Sequence, residues 1–92
     1  MLRFVWDREK AAENARKHGV SFNEAATAFG DPLSITITDP GHSIGEERLL
    51  LVGQSAGGRL LVVAHLEHVD EIRIISARAA TRRERQTYEE DR

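Results

Sequence analysis

The feature that most constrains this chain is a change in the spacing of its apolar residues after the first third. Phe22, Ala25, Ala26 and Phe29 recur at intervals of three and four, which is the period of one helix face. Across residues 33–38 apolar and polar residues alternate, which is the period of a half-buried strand. The chain is therefore predicted to form helices first and a sheet afterwards.

Capping residues predict where the first two helices begin and end. Asp7 is a typical N-cap, and Gly19 is a typical left-handed residue after a last helical turn. Ser21 and Glu24 form a capping-box pattern, in which each side chain accepts the other's backbone N–H. The turn residues 30–32 end the second helix. The first third is therefore predicted to be helix, tight turn, helix.

The rest of the chain predicts strands and one last helix. Strands are predicted at residues 2–6, 33–38, 46–53, 59–67 and 71–77, with a loop at 39–45 and turns at 55–58 and 68–70. A second capping box, from Thr81 to Glu84, begins a helix that runs to about Glu90. Since short connections favour antiparallel neighbours, we expect an α+β fold. In it, two N-terminal helices and a C-terminal helix pack on one face of a four- to five-stranded antiparallel sheet.

Composition limits the class of protein without specifying a site. Cysteine is absent, which excludes disulfides and cysteine nucleophiles and fits a reducing compartment. Charges occur throughout residues 1–20, and the longest apolar run, at residues 60–64, is too short to span a bilayer. We expect one cytoplasmic domain over residues 1–92, without membrane association.

The charge pattern is also informative. The net charge of −2 lacks the strongly basic character of most duplex-DNA binders. Eleven of the thirteen basic residues are arginines, which can grip phosphate through two parallel hydrogen bonds. A high genomic GC content explains this abundance equally well, so it specifies no site.

Motifs for metal or cofactor chemistry are missing from the sequence. It has no HExxH, no P-loop and no dinucleotide fingerprint, and its acidic residues form no cluster suited to a two-metal nuclease. His65 and His68 are predicted to lie on opposite faces of a strand and turn. We therefore expect neither a metal ion nor a cofactor.

Metal-free RNA cleavage is one reaction open to such a chain, because the 2′-hydroxyl attacks its own neighbouring phosphate. The protein then supplies a base, an acid for the leaving oxygen, and positive charge for the phosphorane. Residues of these types are His18, Glu47, Arg48, Arg59, Arg73, Arg78, Arg82, Arg83 and Tyr88.

The junction between the last strand and the last helix is a candidate anion site. Alternation places Ser76 with Ile74 on one strand face and Ala77 on the other, and Arg78 leaves the strand at the junction. Further arginines, at 82, 83 and 85, follow at a helix N-terminus, which favours anions. Pairing of these arginines with the glutamates at 84, 89 and 90 is an equally good interpretation.

Two other groups have a structural interpretation that spacing alone favours. Lys10, Asn14 and Lys17, with the adjoining His18, lie on one side of the first helix, where they would hold phosphate or carry a proton. A solvated helix face, with His18 beside the negative helix end, explains them better. Tyr88 would be a stacking platform or proton donor, but an anchor of the helix to the sheet is the better interpretation.

The order of short motifs resembles that of the BrnT family of type II toxins. The longer ones are F-x-W-D-x-x-K at 4–10, N-x-x-K-H-G-V-S-F-x-E-A at 14–25, G-x-S-x-x-G-R-L-L-V-V at 53–63 and R-I-I-S-A-R-x-A-T-x-x-E at 73–84. The shorter ones are F-x-D-P at 29–32, H-S at 42–43, E-E-R at 46–48 and Y-E at 88–89. The resemblance covers residues 4–89.

This resemblance implies a RelE-like ribonuclease toxin that inhibits translation and growth by cleaving RNA. It also implies neutralisation by a small BrnA-type antitoxin. The antitoxin carries the DNA-binding module, so promoter DNA is bound only through the complex, and a dimer forms through the antitoxin.

By motif position, the resemblance also implies a site. The implied catalytic residues are His18, Glu47, Arg48, Arg78 and Tyr88. The implied RNA-binding residues are Lys17, Arg59, Arg82 and Arg83. We expect Arg78 and Arg48 to stabilise the phosphorane, while His18, Glu47 or Tyr88 moves protons. This expectation requires the guanidinium groups to converge on one concave sheet surface.

Two other functions fit the same sequence. Residues 7–30 look like a DNA-binding helix-turn-helix, although the second helix offers Asn23, Glu24 and Thr27 and no arginine or lysine to read bases. A non-catalytic interaction subunit, with an apolar sheet face that docks a partner helix, is the other alternative.

Overall fold

The computed structural model describes residues 2–39 and 47–90, which contain five strands and three helices. The strands are β1 (Arg3–Val5), β2 (Ile35–Thr38), β3 (Leu49–Gln54), β4 (Leu60–His68) and β5 (Glu71–Ala79). The helices are α1 (Arg8–His18), α2 (Phe22–Thr27) and α3 (Arg82–Glu90), and a 3-10 turn (Ala28–Gly30) follows α2. Most of the predicted loop at 39–45, the H-S motif at 42–43 and Glu46 lie outside the described residues. No helix in the described ranges is long and apolar enough to cross a membrane.

The sheet has the order β1-β5-β4-β3-β2, which confirms the predicted α+β fold with a mostly antiparallel sheet. β2 to β5 form the antiparallel meander that the short turns predicted. β1 instead pairs parallel to β5, with Phe4 opposite Ile72. This pairing joins segments far apart in the chain, so no turn motif in the sequence predicts it.

Helices cover both faces of the sheet, so the prediction of a single helix-covered face was wrong. On what we call the α1–α2 face, Leu61 and Val63 of β4 belong to a core cluster with Phe22. On the opposite face, the α3 face, Leu60 and Val62 pack in a second cluster with Tyr88. The physical reason is the continuous apolar run in β4, which presents apolar side chains to both sides.

A register shift in β5 changes which of its residues face α1 and α2. Ala64 pairs with Ser76 while His65 pairs with Ile74, so one extra residue lies in β5 between these pairs. Ala77 consequently joins Ile74 in the core cluster, and the predicted separation of these two residues was wrong. β5 also extends to Ala79, so Arg78 lies within the strand rather than after it.

The predicted N-caps and the predicted end of α1 are confirmed, whereas α2 ends at Thr27 and its predicted last turn is the 3-10 turn. Asp7 accepts hydrogen bonds from the N–H of Glu9 and of Lys10, and Gly19 has a φ of 67°. Thr81 and Glu84 form the full reciprocal capping box, at 2.8 and 3.1 Å. In the first box the backbone N–H of Glu24 donates to Ser21, but the Glu24 carboxylate binds elsewhere, as described below.

Candidate functional site

Arg78 is a half-exposed cation held in place on the α3 face of the sheet. By strand alternation it shares this face with Val62, its neighbour on β4, and its side chain is 40% exposed. Its Nη1 and Nη2 atoms each donate to one carboxylate oxygen of Glu84, both at 2.8 Å. These hydrogen bonds raise the pKa of Arg78 and lower the pKa of Glu84 to about 2. The pairing with Glu84 that sequence spacing allowed is therefore present, and it orients the guanidinium.

α3 brings two further arginines and a tyrosine to this region. Arg82 and Arg83 lie exposed in its first turn, beside the end of β5. Tyr88 is buried, and its hydroxyl donates to Oδ2 of Asp31 at 2.6 Å. This arrangement supports the interpretation of Tyr88 as the anchor of α3, since its ring packs in the apolar cluster and its proton is engaged.

Arg48 and Glu47 directly precede β3, and their side chains lie on opposite faces of the sheet. The carbonyl oxygen of Arg48 accepts from the N–H of Asp39 at 2.9 Å, which extends the β2–β3 ladder, so alternation places Arg48 with Val52 on the α3 face. Val52 pairs with Val62, which pairs with Arg78. Arg48 is four residues before Val52, so strand rise and spacing place its Cα roughly 16 Å from that of Arg78. These two arginines share a face of the sheet, but at this separation they are suited to bind two different phosphates rather than the same one. Glu47 alternates to the other face and is exposed.

A polar groove of about 290 Å³ runs between α1 and the later part of β5. Its lining residues are Lys10, Glu13, Asn14, Lys17, His18, Ile75 and Ser76. Ser76 is two residues before Arg78, so both side chains lie on the same side of β5. The groove that holds Lys17 and His18 therefore includes a residue two positions before Arg78 on β5.

Arg59 lies apart from the other arginines, on the side of α1 and α2. Its guanidinium pairs with both carboxylate oxygens of Glu24 and donates to the carbonyl oxygen of Gly19 at 3.0 Å. Ser55 also donates to Glu24, at 2.8 Å. The hydrogen bond from Arg59 lowers the pKa of Glu24, and the same bond raises the pKa of Arg59. The sequence predicted that the guanidinium groups converge on one concave sheet surface. Arg59 does not share a surface with Arg78, because it lies against α2 and the end of α1.

Two polar residues organise this region in ways that sequence spacing missed. Asn14, which spacing grouped with the lysines of α1, is buried and binds both backbone groups of Ala77, next to Arg78. Asp31 accepts from the N–H groups of Leu33 and Gln54 as well as from Tyr88. An aspartate before proline is an Asx-turn signal, which anticipates only the bond to Leu33.

The described residues contain no group of three His, Cys, Asp or Glu side chains placed to hold a metal ion. His65 is buried, with its ring nitrogens at 3.1 Å from the carbonyl oxygen of Val63 and 3.0 Å from Glu67. His68 is exposed at the end of β4.

Comparisons with known proteins identify the family. Residues 6–84 match the family model described as the ribonuclease toxin BrnT of type II toxin-antitoxin systems. The chain belongs to the BrnT family. This confirms the resemblance seen in the motifs, and membership implies an RNA target and an antitoxin partner.

The fold agrees with this BrnT assignment. It is similar to the 1.1 Å crystal structure of the ribonuclease toxin BrnT from Brucella abortus, with a TM-score of 0.67. The sequence identity is 20%, and the match covers 89% of this chain and 100% of that one. No match was found among curated proteins.

Proposed function

We propose that this BrnT family member is an endoribonuclease that cleaves RNA without a metal ion, with Arg78 as the group that stabilises the phosphorane. The observation that carries this proposal is the position of Arg78, half-exposed on the α3 face and oriented by the two hydrogen bonds that it donates to Glu84. A fixed, delocalised cation placed where negative charge develops is the element that such a reaction needs most. Arg82 and Arg83, exposed beside it, add charge for the adjoining phosphates.

In the proposed reaction the 2′-oxygen attacks the neighbouring phosphorus as the bond to the 5′-oxygen breaks. A base removes the 2′-hydroxyl proton, and an acid gives a proton to the leaving 5′-oxygen. Of the predicted proton carriers, His18 fits best, because its groove includes Ser76, two residues before Arg78 on β5. Tyr88 fits less well because its hydroxyl donates to Asp31. Glu47 fits less well because it precedes Arg48, whose Cα is roughly 16 Å from that of Arg78 by strand geometry.

The remaining predicted residues have supporting roles in this proposal. Lys17 in the groove and Arg48 at the far end of the α3 face contact phosphates on either side of the cleaved bond. Arg59 acts indirectly, by tying the β3–β4 turn to α2 through Glu24, rather than by binding RNA itself.

The proposal extends to the biological setting. Cleavage inhibits translation and growth in the cytoplasm, and a BrnA-type antitoxin neutralises the toxin. Promoter DNA is bound only through the antitoxin complex, which also brings about dimerisation. The net charge of −2 supports this division of labour, since a chain without a strong basic excess is a poor DNA binder alone.

The test is the Arg78→Ala variant, with Arg8→Ala as a matched loss of an exposed arginine at the start of α1. We expect Arg78→Ala to lose toxicity in growing cells and to cleave an RNA oligonucleotide about 10²–10³-fold more slowly. Arg8→Ala should match the wild type, both variants should keep antitoxin binding, and EDTA should leave the wild-type rate unchanged. Full cleavage by Arg78→Ala would exclude its role, and loss of cleavage in EDTA would exclude metal independence.

A further inference from the structure

The guanidinium of Arg78 presents two edges, and the protein engages one of them. Glu84 accepts one N–H from Nη1 and one from Nη2, which is an end-on bidentate pair. The other N–H of Nη1 donates to the carbonyl oxygen of Ala79 at 3.3 Å. The Nε–H and the second N–H of Nη2 remain, and within residues 2–39 and 47–90 no acceptor is bonded to them.

These two remaining N–H groups lie parallel on the side edge of the guanidinium. A pair of parallel donors matches two oxygens of a phosphate, which is the geometry that distinguishes arginine from lysine as a phosphate ligand. The Arg78 side chain is 40% exposed, so a ligand can reach it from solvent. Arg78 can therefore bind a phosphodiester while it keeps its bonds to Glu84.

Glu84 is itself held at both ends of the capping box. Its carboxylate accepts from the backbone N–H of Thr81 at 2.8 Å, and its own N–H donates to Oγ1 of Thr81 at 3.1 Å. Only 28% of its side chain is exposed. The first turn of α3 therefore fixes the carboxylate, and the carboxylate fixes the plane of the guanidinium.

We propose that Glu84 is a positioning residue, which holds Arg78 so that the side edge of its guanidinium faces the scissile phosphodiester. The inference rests on the proposed function, because it takes Arg78 to be the ligand of that phosphate. A positioned guanidinium contributes more in the transition state than a mobile one, since no reorganisation is needed as charge develops. Glu84 is also an anion, so it opposes the binding of RNA in the ground state.

The two effects predict an unusual result for Glu84→Gln. Loss of orientation should lower kcat by about tenfold or more, within the range expected for a misplaced catalytic group. Loss of the negative charge should leave RNA binding unchanged or make it tighter. A residue that only stabilised the fold would not separate kcat from binding in this way.

The experiment compares full-length wild type, Glu84→Gln, Glu89→Gln and Arg78→Ala, at a temperature where circular dichroism shows each to be folded. Glutamine also serves in a capping box, so Glu84→Gln retains the α3 N-terminus while it weakens the bond to Arg78. Glu89→Gln is the matched control, because it removes the same charge from an exposed position of α3 and leaves the pair between Arg78 and Glu84. We would measure kcat on a single-stranded RNA oligonucleotide, and Kd for the all-deoxy version of the same sequence, which lacks the 2′-hydroxyl.

The outcome expected is a fall in kcat for Glu84→Gln with an unchanged or smaller Kd, and a kcat for Glu89→Gln within about twofold of wild type, since the positioning contact is intact. Wild-type kcat for Glu84→Gln would overturn the inference, as would an equal loss of kcat in Glu89→Gln. If Arg78→Ala cleaves at the wild-type rate, the proposed function itself fails. If Arg78→Ala is inactive while Glu84→Gln is fully active, only the positioning role of Glu84 fails.

Discussion

Replacing Asn14 by alanine is expected to loosen α1 from the later part of β5, which pairs with β4 on one side and, within the described residues, with no strand on the other. β1 lies beside β5 only at residues 71–73, so within the described residues the later part of β5 has no strand on that side. Asn14 takes the place of one: its Oδ1 accepts from the N–H of Ala77 at 3.1 Å, and its Nδ2 donates to the carbonyl oxygen of Ala77 at 2.8 Å. The same Nδ2 donates to the carbonyl oxygen of Val20 at 2.9 Å.

The expected loss follows from these three hydrogen bonds. Each contributes about 1 kcal/mol net, so Asn14→Ala should lower the free energy of unfolding by about 3 kcal/mol. Asn14 is only 6% exposed, so water replaces the lost partners poorly. A loss of this size in a domain of this length lowers Tm by roughly 12–24 °C. The total free energy of unfolding of a domain is typically about 5–15 kcal/mol, so a loss of about 3 kcal/mol is a large fraction of it.

The assay is urea unfolding followed by circular dichroism and by the fluorescence of Trp6, which packs edge-on against Phe22 at 5.9 Å. Asn23→Ala is the matched control, since Asn23 is a helical asparagine exposed to solvent. Asn14→Asp should lose more stability than Asn14→Ala at neutral pH, because its carboxylate would face two carbonyl oxygens, and acid should narrow the difference. A loss below about 1 kcal/mol for Asn14→Ala would refute the reasoning, since the loss of three buried hydrogen bonds should lower the free energy of unfolding by more than that.

Three further perturbations test other contacts. Tyr88→Phe removes the hydrogen bond to Asp31 but keeps the packed ring, so the free energy of unfolding in denaturant should fall by about 1–3 kcal/mol while the cleavage rate changes little. A large fall in the cleavage rate with unchanged stability would instead make Tyr88 a proton donor. The folded pKa of Glu84, about 2, lies below its ordinary value of 4.5, so the stabilisation by its pair with Arg78 is complete above pH 4.5 and is lost as the pH falls towards 2. After allowance for solvent screening this amounts to about 1–2 kcal/mol, which would appear as a steeper acid loss of stability in wild type than in Glu84→Gln; identical pH profiles would contradict it. Gly53→Ala would place a Cβ 2.8 Å from the carbonyl oxygen of Ala28, so Tm should fall by an amount equivalent to about 1–3 kcal/mol, and an unchanged Tm would mean that this contact relaxes freely.

Much of the fold could be predicted because its signals are local. Asp7, Gly19 and the pair Thr81 and Glu84 act on backbone groups within a few residues, and all four have the predicted roles. The alternation of apolar residues likewise predicted strands, and the short turns predicted the meander of β2 to β5. The functional family followed from motif order, and the matching family model confirms it.

The parts that could not be predicted involve partners far apart in the chain. Glu24 fits a local capping box equally well, yet its carboxylate binds Arg59, 35 residues away. Asn14 looks like a member of a polar helix stripe, yet it binds Ala77, 63 residues away. Local propensity cannot choose between such partners, since the choice depends on which segments the closed sheet brings together.

The sequence by itself determined the helices and strands, most of their ends and the types of side chain available for catalysis. These features depend on hydrogen bonds between near neighbours and on apolar periodicity, which are local properties of the chain. Tertiary structure decided which of the candidate residues share a surface. One extra residue in β5 puts Ala77 in the core and leaves Ser76 and Arg78 together on the α3 face, and the placement of α3 sets Glu84 against Arg78. Side-chain direction alternates with every strand residue, so a shift of one position is enough to move a site from one face of the sheet to the other.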